Sequence, residues 1–147
     1  MKRAFAAIAI ALGASAVAIQ FVGVDRGNRA SSEIAIAPVE IQTTLECACY
    51  DCHSNQTKWE WYSRIAPISW YIAHQVNRGR IELNFSDWNS YYPITRHRKL
   101  LWITRAIEDR SMPPASYLLV HPEVRLNNAQ REELVGWAHR AADLLEP

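Results

Sequence analysis

Five consecutive residues, Cys49-Tyr50-Asp51-Cys52-His53, constrain this chain more than any other stretch. They read C-x-x-C-H, the pattern for covalent attachment of a c-type haem. Two thiols on one helical turn can each form a thioether to one of the porphyrin's two vinyl groups. The adjacent imidazole then reaches the iron from the same side, which makes His53 the expected proximal ligand. Cys49, Cys52 and His53 are therefore the first candidate cofactor-binding residues, with His53 a ligand to the metal.

Other readings of the pattern fit less well. A thioredoxin-type redox pair also uses C-x-x-C but expects it beside a βαβ unit, whereas the sequence downstream reads helical. A structural zinc site wants four ligands, usually with a second Cys or His pair at close spacing. His74, His97, His121 and His139 are scattered instead. Cys47 offers a wider register, C-x-x-x-x-C-H, but the two-residue gap suits one helical turn better. Cys47 then reads as a tolerated buried thiol, with pairing to another chain as the alternative.

Such a haem takes a sixth ligand or leaves one face open. Apart from the initiator, the chain has a single methionine, Met112, in Ser111-Met112-Pro113-Pro114. Prolines fix φ and cannot extend a helix, so this loop is stiff, as a weak thioether ligand requires. The loop and the preceding haem motif favour Met112 as second axial ligand over core gap-filler. His74, His97 and His121 are the alternative ligands.

The front of the chain reads as an address. After Lys2 and Arg3, the residues from Ala4 to Val24 carry no charge, and Asp25 and Arg26 end the run. A basic start and an apolar stretch define an export signal or a membrane anchor. Ala14-Ser15-Ala16 has the shape of a cleavage site, which would leave a soluble periplasmic protein. The apolar character continues through Val17, Ile19, Phe21, Val22 and Val24, long enough to cross a bilayer as a helix. That length favours an anchor in the inner membrane, spanning residues 4–24, with the remainder in the periplasm. Residues 1–24 are thus the signal or anchor. Ile34, Ile36 and Val39 could touch the domain, but Gly27, the Ser31-Ser32 pair and Pro38 make residues 25–46 read as linker, and residues 47–147 form the haem-binding domain.

Removing Lys2 and Arg3 from the formal net charge of +1 leaves −1 for the rest of the chain. That balance gives no clustered cationic face for nucleic acid. Within the domain, Ile65, Ile68, Ile72 and Val76 predict one helix, with Pro67 in its first turn and Asn77-Arg78-Gly79 as its stop. Leu100, Ile103, Thr104 and Ile107 predict a second, from about Thr95 to Arg110. Leu134, Trp137, Ala138, Ala141 and Leu145 predict a third, capped by Asn127 or Asn128, with Glu132 and Glu133 near its start. No sustained period-two alternation is present, so the fold class is all-α. Six tryptophans and six tyrosines are many for this length. Trp59, Trp61, Tyr62 and Trp70, with Trp88, Tyr91 and Tyr92 further on, are candidate walls of a haem crevice or ordinary aromatic core. Arg64 is a candidate partner for a propionate.

The stretch from Cys49 to Trp70 resembles the bacterial haem-binding domain family of small exported cytochrome-c-like proteins. The likeness extends through Gly79 to Trp88, Met112 to Pro114, Tyr117 to Asn127, and Ile19 to Arg26 near the front. It implies a cytochrome-c-like helical domain wrapped around one covalent haem on Cys49 and Cys52, with His53 proximal. The family's methionine before a proline pair falls on Met112. Glu60 stands where the family usually has proline, as does Gly23, and Cys47 is outside the family pattern.

The function these features predict is a monohaem electron carrier outside the cytoplasmic membrane, exchanging electrons with redox proteins of the cell envelope. No catalytic constellation appears elsewhere. The alternative is a haem-based sensor or peroxidase-like enzyme with an open sixth position and a distal acid–base group, for which His74 or His121 are candidates.

Overall fold

The computed structural model describes residues 1–29 and 36–145; Ser31, Ser32 and Ile34 lie outside them. The helices run α1 (Lys2–Ala18), α2 (Val39–Ala48), α3 (Tyr50–His53), α4 (Ile68–Glu82), α5 (Pro93–Glu108), α6 (Ala115–Leu118) and α7 (Asn128–Asp143). Single-turn 3₁₀ segments follow α1 at Ile19–Phe21 and occur at Trp61–Arg64 and Pro122–Val124, with a longer one at Phe85–Ser90. The described residues contain no strand, as the absence of alternation predicted.

The two C-terminal long helices form where apolar spacing predicted them, and they pack along one another. Pro93 opens α5, where its fixed φ suits the first turn. Asn127 caps α7 by accepting from the Gln130 backbone N–H at 2.9 Å, while the Gln130 side chain accepts from the Asn127 N–H at 3.0 Å. Glu132 and Glu133 fall in the second turn, beyond the cap. Leu100, Ile103, Thr104 and Ile107 of α5 are buried, as are Leu134, Trp137, Ala138 and Ala142 of α7.

Three expectations are corrected. The first is the linker over residues 25–46. Its last third is helix α2, which crosses the expected domain boundary, and Ile41 and Leu45 bury four residues apart in the core against α3 and α7. The second is the stop at Asn77-Arg78-Gly79, which α4 runs through to Glu82. Gly79 is there for closeness: a Cβ on it would stand 2.4 Å from the Cys52 carbonyl oxygen. Only hydrogen lets the motif helix rest on α4 at that distance. The third is the apolar face of α4. Val76 and Ser69 are buried, but Ile68 is exposed, and Ile65 falls before the helix and is exposed as well.

Candidate functional site

Helix α3 is one turn long and carries the C-x-x-C-H motif. The Cys49 carbonyl accepts from the Cys52 N–H at 3.2 Å and the His53 N–H at 2.9 Å, so both cysteines share a turn. Tyr50 drives that turn into the core, where its ring stacks on Phe85 with centroids 5.3 Å apart. A cleft of about 710 Å³, counted to its open mouth, opens beside the motif. Its lining includes Cys49 and His53 from the motif, Leu83 and Phe85 after α4, Trp102 and Ile103 of α5, Leu134 of α7, and Met112. The lining is apolar apart from His53, Glu82 and Lys99.

His53 is oriented by α4. Its Nδ1 lies 3.0 Å from the Gly79 carbonyl oxygen and 3.1 Å from that of Leu83. Both partners are acceptors, so Nδ1 carries the proton and donates, and Nε2 keeps the free lone pair. Burial lowers the imidazole below its ordinary value, against the opposing pull of the Leu83 and Gly79 carbonyls. A neutral imidazole with its outer nitrogen pinned to backbone is what a metal-ligating histidine needs.

The cysteines are the opposite of a poised redox pair. Burial, then the neighbouring Cys52, pushes the Cys49 thiol up to about 12. Burial, then Asp51, pushes Cys52 up to about 11, with Arg80 pulling the other way. Thioredoxin-type chemistry depends on lowered thiol values. Cys47 is exposed, not buried as expected.

The structure brings Cys49, His53 and Met112 to one cleft, while Cys52 lies against the Gly79 backbone. Met112 gets there through the end of α5. Arg110 takes a left-handed φ of 59°, the Met112 N–H donates to the Ala106 carbonyl at 3.2 Å, and the chain reverses toward the cleft. The other candidate ligands stand elsewhere. His121 uses both nitrogens, one 2.5 Å from the Tyr62 hydroxyl and one 3.1 Å from Glu123, and its ring stacks on Tyr117. His74 is exposed on α4, and half-buried His97 lies outside the cleft lining.

The expected aromatic wall is also placed differently. Phe85 and Trp102 supply the cleft's rings. Trp61 is exposed, Tyr62 pairs with His121, and Trp70 donates from Nε1 to the Val22 carbonyl. Arg64 is exposed, and Lys99 is the cation of the cleft lining. Its Nζ donates to the Glu82 carbonyl and sits 4.6 Å from the centre of the Tyr91 ring.

Several residues that hold the motif carried no assignment from sequence. Arg80 donates from Nε to the Ser54 carbonyl at 2.8 Å, and from its terminal nitrogens to Gly27, Asn28 and Thr57, each at 2.9 Å. Asp51 accepts from the Tyr117 hydroxyl at 2.6 Å and from the Lys58 N–H at 2.9 Å. Asn84 donates to Asn55 at 2.9 Å and to Asp87 at 2.7 Å. Apart from the local Asp51–Lys58 and Asn84–Asp87 bonds, these pairings join residues 23 or more apart in the chain, so only the fold reveals them.

An all-α domain with an apolar cleft, a histidine fixed by backbone carbonyls and a cysteine pair on one turn fits a class of protein that holds a flat apolar cofactor. A family model described as "Haem-binding domain" matches residues 14–140, and the chain belongs to that family. Comparison with curated proteins and with solved structures gives no match. The chain is a haem-binding protein.

Proposed function

We propose that this chain is a monohaem c-type electron carrier outside the cytoplasmic membrane. Cys49 and Cys52 would hold the haem through thioethers, with His53 and Met112 as its axial ligands. The observation that carries the reading is His53, fixed by two backbone carbonyls at the edge of an apolar cleft that Met112 also lines. The haem, when bound, supplies one-electron cycling of its iron between ferrous and ferric states. The chain's own residues bury the ring, exclude water and hold the imidazole proton on Nδ1. A thioether opposite an imidazole raises the reduction potential relative to two nitrogen ligands. Redox proteins of the cell envelope would be the partners.

Helix α1 and the turn after it form a stretch, Lys2–Phe21, long and apolar enough to cross a membrane, with none of it buried within the fold. We read residues 4–24 as an inner-membrane anchor that leaves the domain in the periplasm; a cleaved signal at Ala14-Ser15-Ala16 is the alternative. The sensor or peroxidase-like reading needs a distal acid–base group. Both candidates for it, His74 and His121, lie outside the cleft lining, so the carrier reading has the better support.

The test is direct. The intact mass of the exported protein should exceed that of the polypeptide by one haem, and Met112→Ala should lower the midpoint potential and change the ferric spectrum. An unchanged spectrum and potential in that variant would remove Met112 as a ligand. Rapid carbon monoxide binding by the reduced wild type would favour the sensor or enzyme.

A further inference from the structure

Among the described residues, an exposed apolar surface surrounds the point where α1 joins the domain. Trp61 is 71% exposed and Leu119 82%, and Ile65, Ile68, Tyr71 and Val120 are exposed as well. These residues come from three segments that interactions tie together. The Trp61 ring meets Tyr62 edge-on at 5.8 Å, and Tyr62 bonds His121, the residue after Val120. The Tyr71 hydroxyl donates to Ser116 at 3.1 Å, which fixes α6 beside the start of α4. Large apolar patches of this kind on a small domain mark an interaction surface.

The end of α1 is clamped to this surface. The Gln20 side chain donates to the Ala66 carbonyl at 3.1 Å and accepts from the Ala66 N–H at 3.0 Å. Ala66 sits between Ile65 and Ile68 in the chain. One turn further on, Trp70 Nε1 donates to the Val22 carbonyl at 3.3 Å. A helix of the length of Lys2–Phe21 matches the hydrocarbon thickness of a bilayer, about 30 Å. The helical part of the residue 4–24 anchor ends at Phe21, which brings Gln20, and with it Ala66, to the lipid headgroups. Tryptophan and tyrosine side chains favour that depth, with their apolar bodies toward the tails and polar edges toward water.

We infer that the domain lies against the outer leaflet of its own membrane through the face made by Trp61, Ile65, Ile68, Tyr71, Leu119 and Val120, with the Gln20–Ala66 pair setting its orientation. The occupant of this face is the lipid surface, because the face is continuous with the exit of the span. The inference rests on reading α1 as an anchor.

The test uses the full haem-loaded chain in vesicles of phosphatidylethanolamine and phosphatidylglycerol, with a photoreactive benzoylphenylalanine placed singly at position 61, 119 or 144. Leu144, exposed at the end of α7, is the control. Carbonate washing first establishes anchoring; extraction by carbonate would overturn the anchor and the orientation with it. In carbonate-resistant protein, positions 61 and 119 should yield at least about fivefold more lipid adduct than position 144. Equal yields, or adducts to a second copy in place of lipid, would overturn the orientation while leaving the anchor intact. Gln20→Ala should lower the adducts at 61 and 119 without affecting carbonate resistance; unchanged yields would overturn the clamp.

Discussion

The two sides of the motif helix are built by different physics. On the cleft side, α3 faces a wall of α5 and α7 held by burial, which is strong but non-directional. On the other side, Asp51, Ser54, Thr57, Arg80 and Tyr117 are joined by hydrogen bonds of 2.6–2.9 Å. A flat apolar cofactor needs a greasy slot whose exact side chains matter little. The atoms that grip it need fixed positions, and only directional bonds supply those. The difference separates residues that give the domain its stability from residues that place Cys49, Cys52 and His53.

Substitutions can break or sharpen this contrast. The largest loss is expected from Leu134→Ala, at a residue with no exposure that lines the cleft. It should cost about 2–5 kcal/mol in urea denaturation while His53 ligation, read from the haem spectrum, persists. A cost well below that range would mean the cleft side is not held by packing. Gly79→Ala drives a methyl into the Cys52 backbone and should cost about 1–3 kcal/mol. It should also reduce covalent haem incorporation far more than Leu134→Ala does, because it moves the motif itself. Arg80→Ala should cost about 2 kcal/mol by the same denaturation assay. Its further signature is loss of haem yield, since the Ser54 carbonyl and Thr57 hydroxyl lose the guanidinium that positions the loop after His53. Normal haem yield in that variant would dissolve the distinction between the two sides. The smallest effect belongs to Arg110→Gly, which relieves the left-handed φ before the Met112 loop. A gain of roughly 0.5–1 kcal/mol, with the potential unchanged, is expected from thermal melts and redox titration.

The legible parts of the fold were those in which one local pattern points to one outcome. The spacings of Leu100, Ile103 and Ile107, and of Leu134, Trp137 and Ala138, matched two long helices to within about two residues. Helix α2 was not legible because it buries only Ile41 and Leu45, too few for a periodic signal among polar neighbours. Helix α4 misled in the other direction. The isoleucines repeat at helical spacing, yet Ile65 precedes the helix and, like Ile68, is exposed beside Ala66, whose backbone bonds the end of α1. Gly79 read as a stop because glycine ends helices more often than it permits a close crossing. The aromatic cluster after the motif was visible as composition, but nothing local tells which rings enter the cleft.

By itself the sequence determined the local patterns: cysteines and a histidine at fixed short spacing, an apolar N-terminal stretch, and apolar repeats of helical period. These are local properties, set by a few adjacent residues and by backbone geometry. Tertiary structure alone decided what holds His53 Nδ1, that Met112 joins it at one cleft while His121 is engaged elsewhere, and that Arg80 gathers four partners. Each of these joins segments at least 23 residues apart in the chain. Hydrogen-bond partners at that distance are chosen by packing, and no local pattern encodes them.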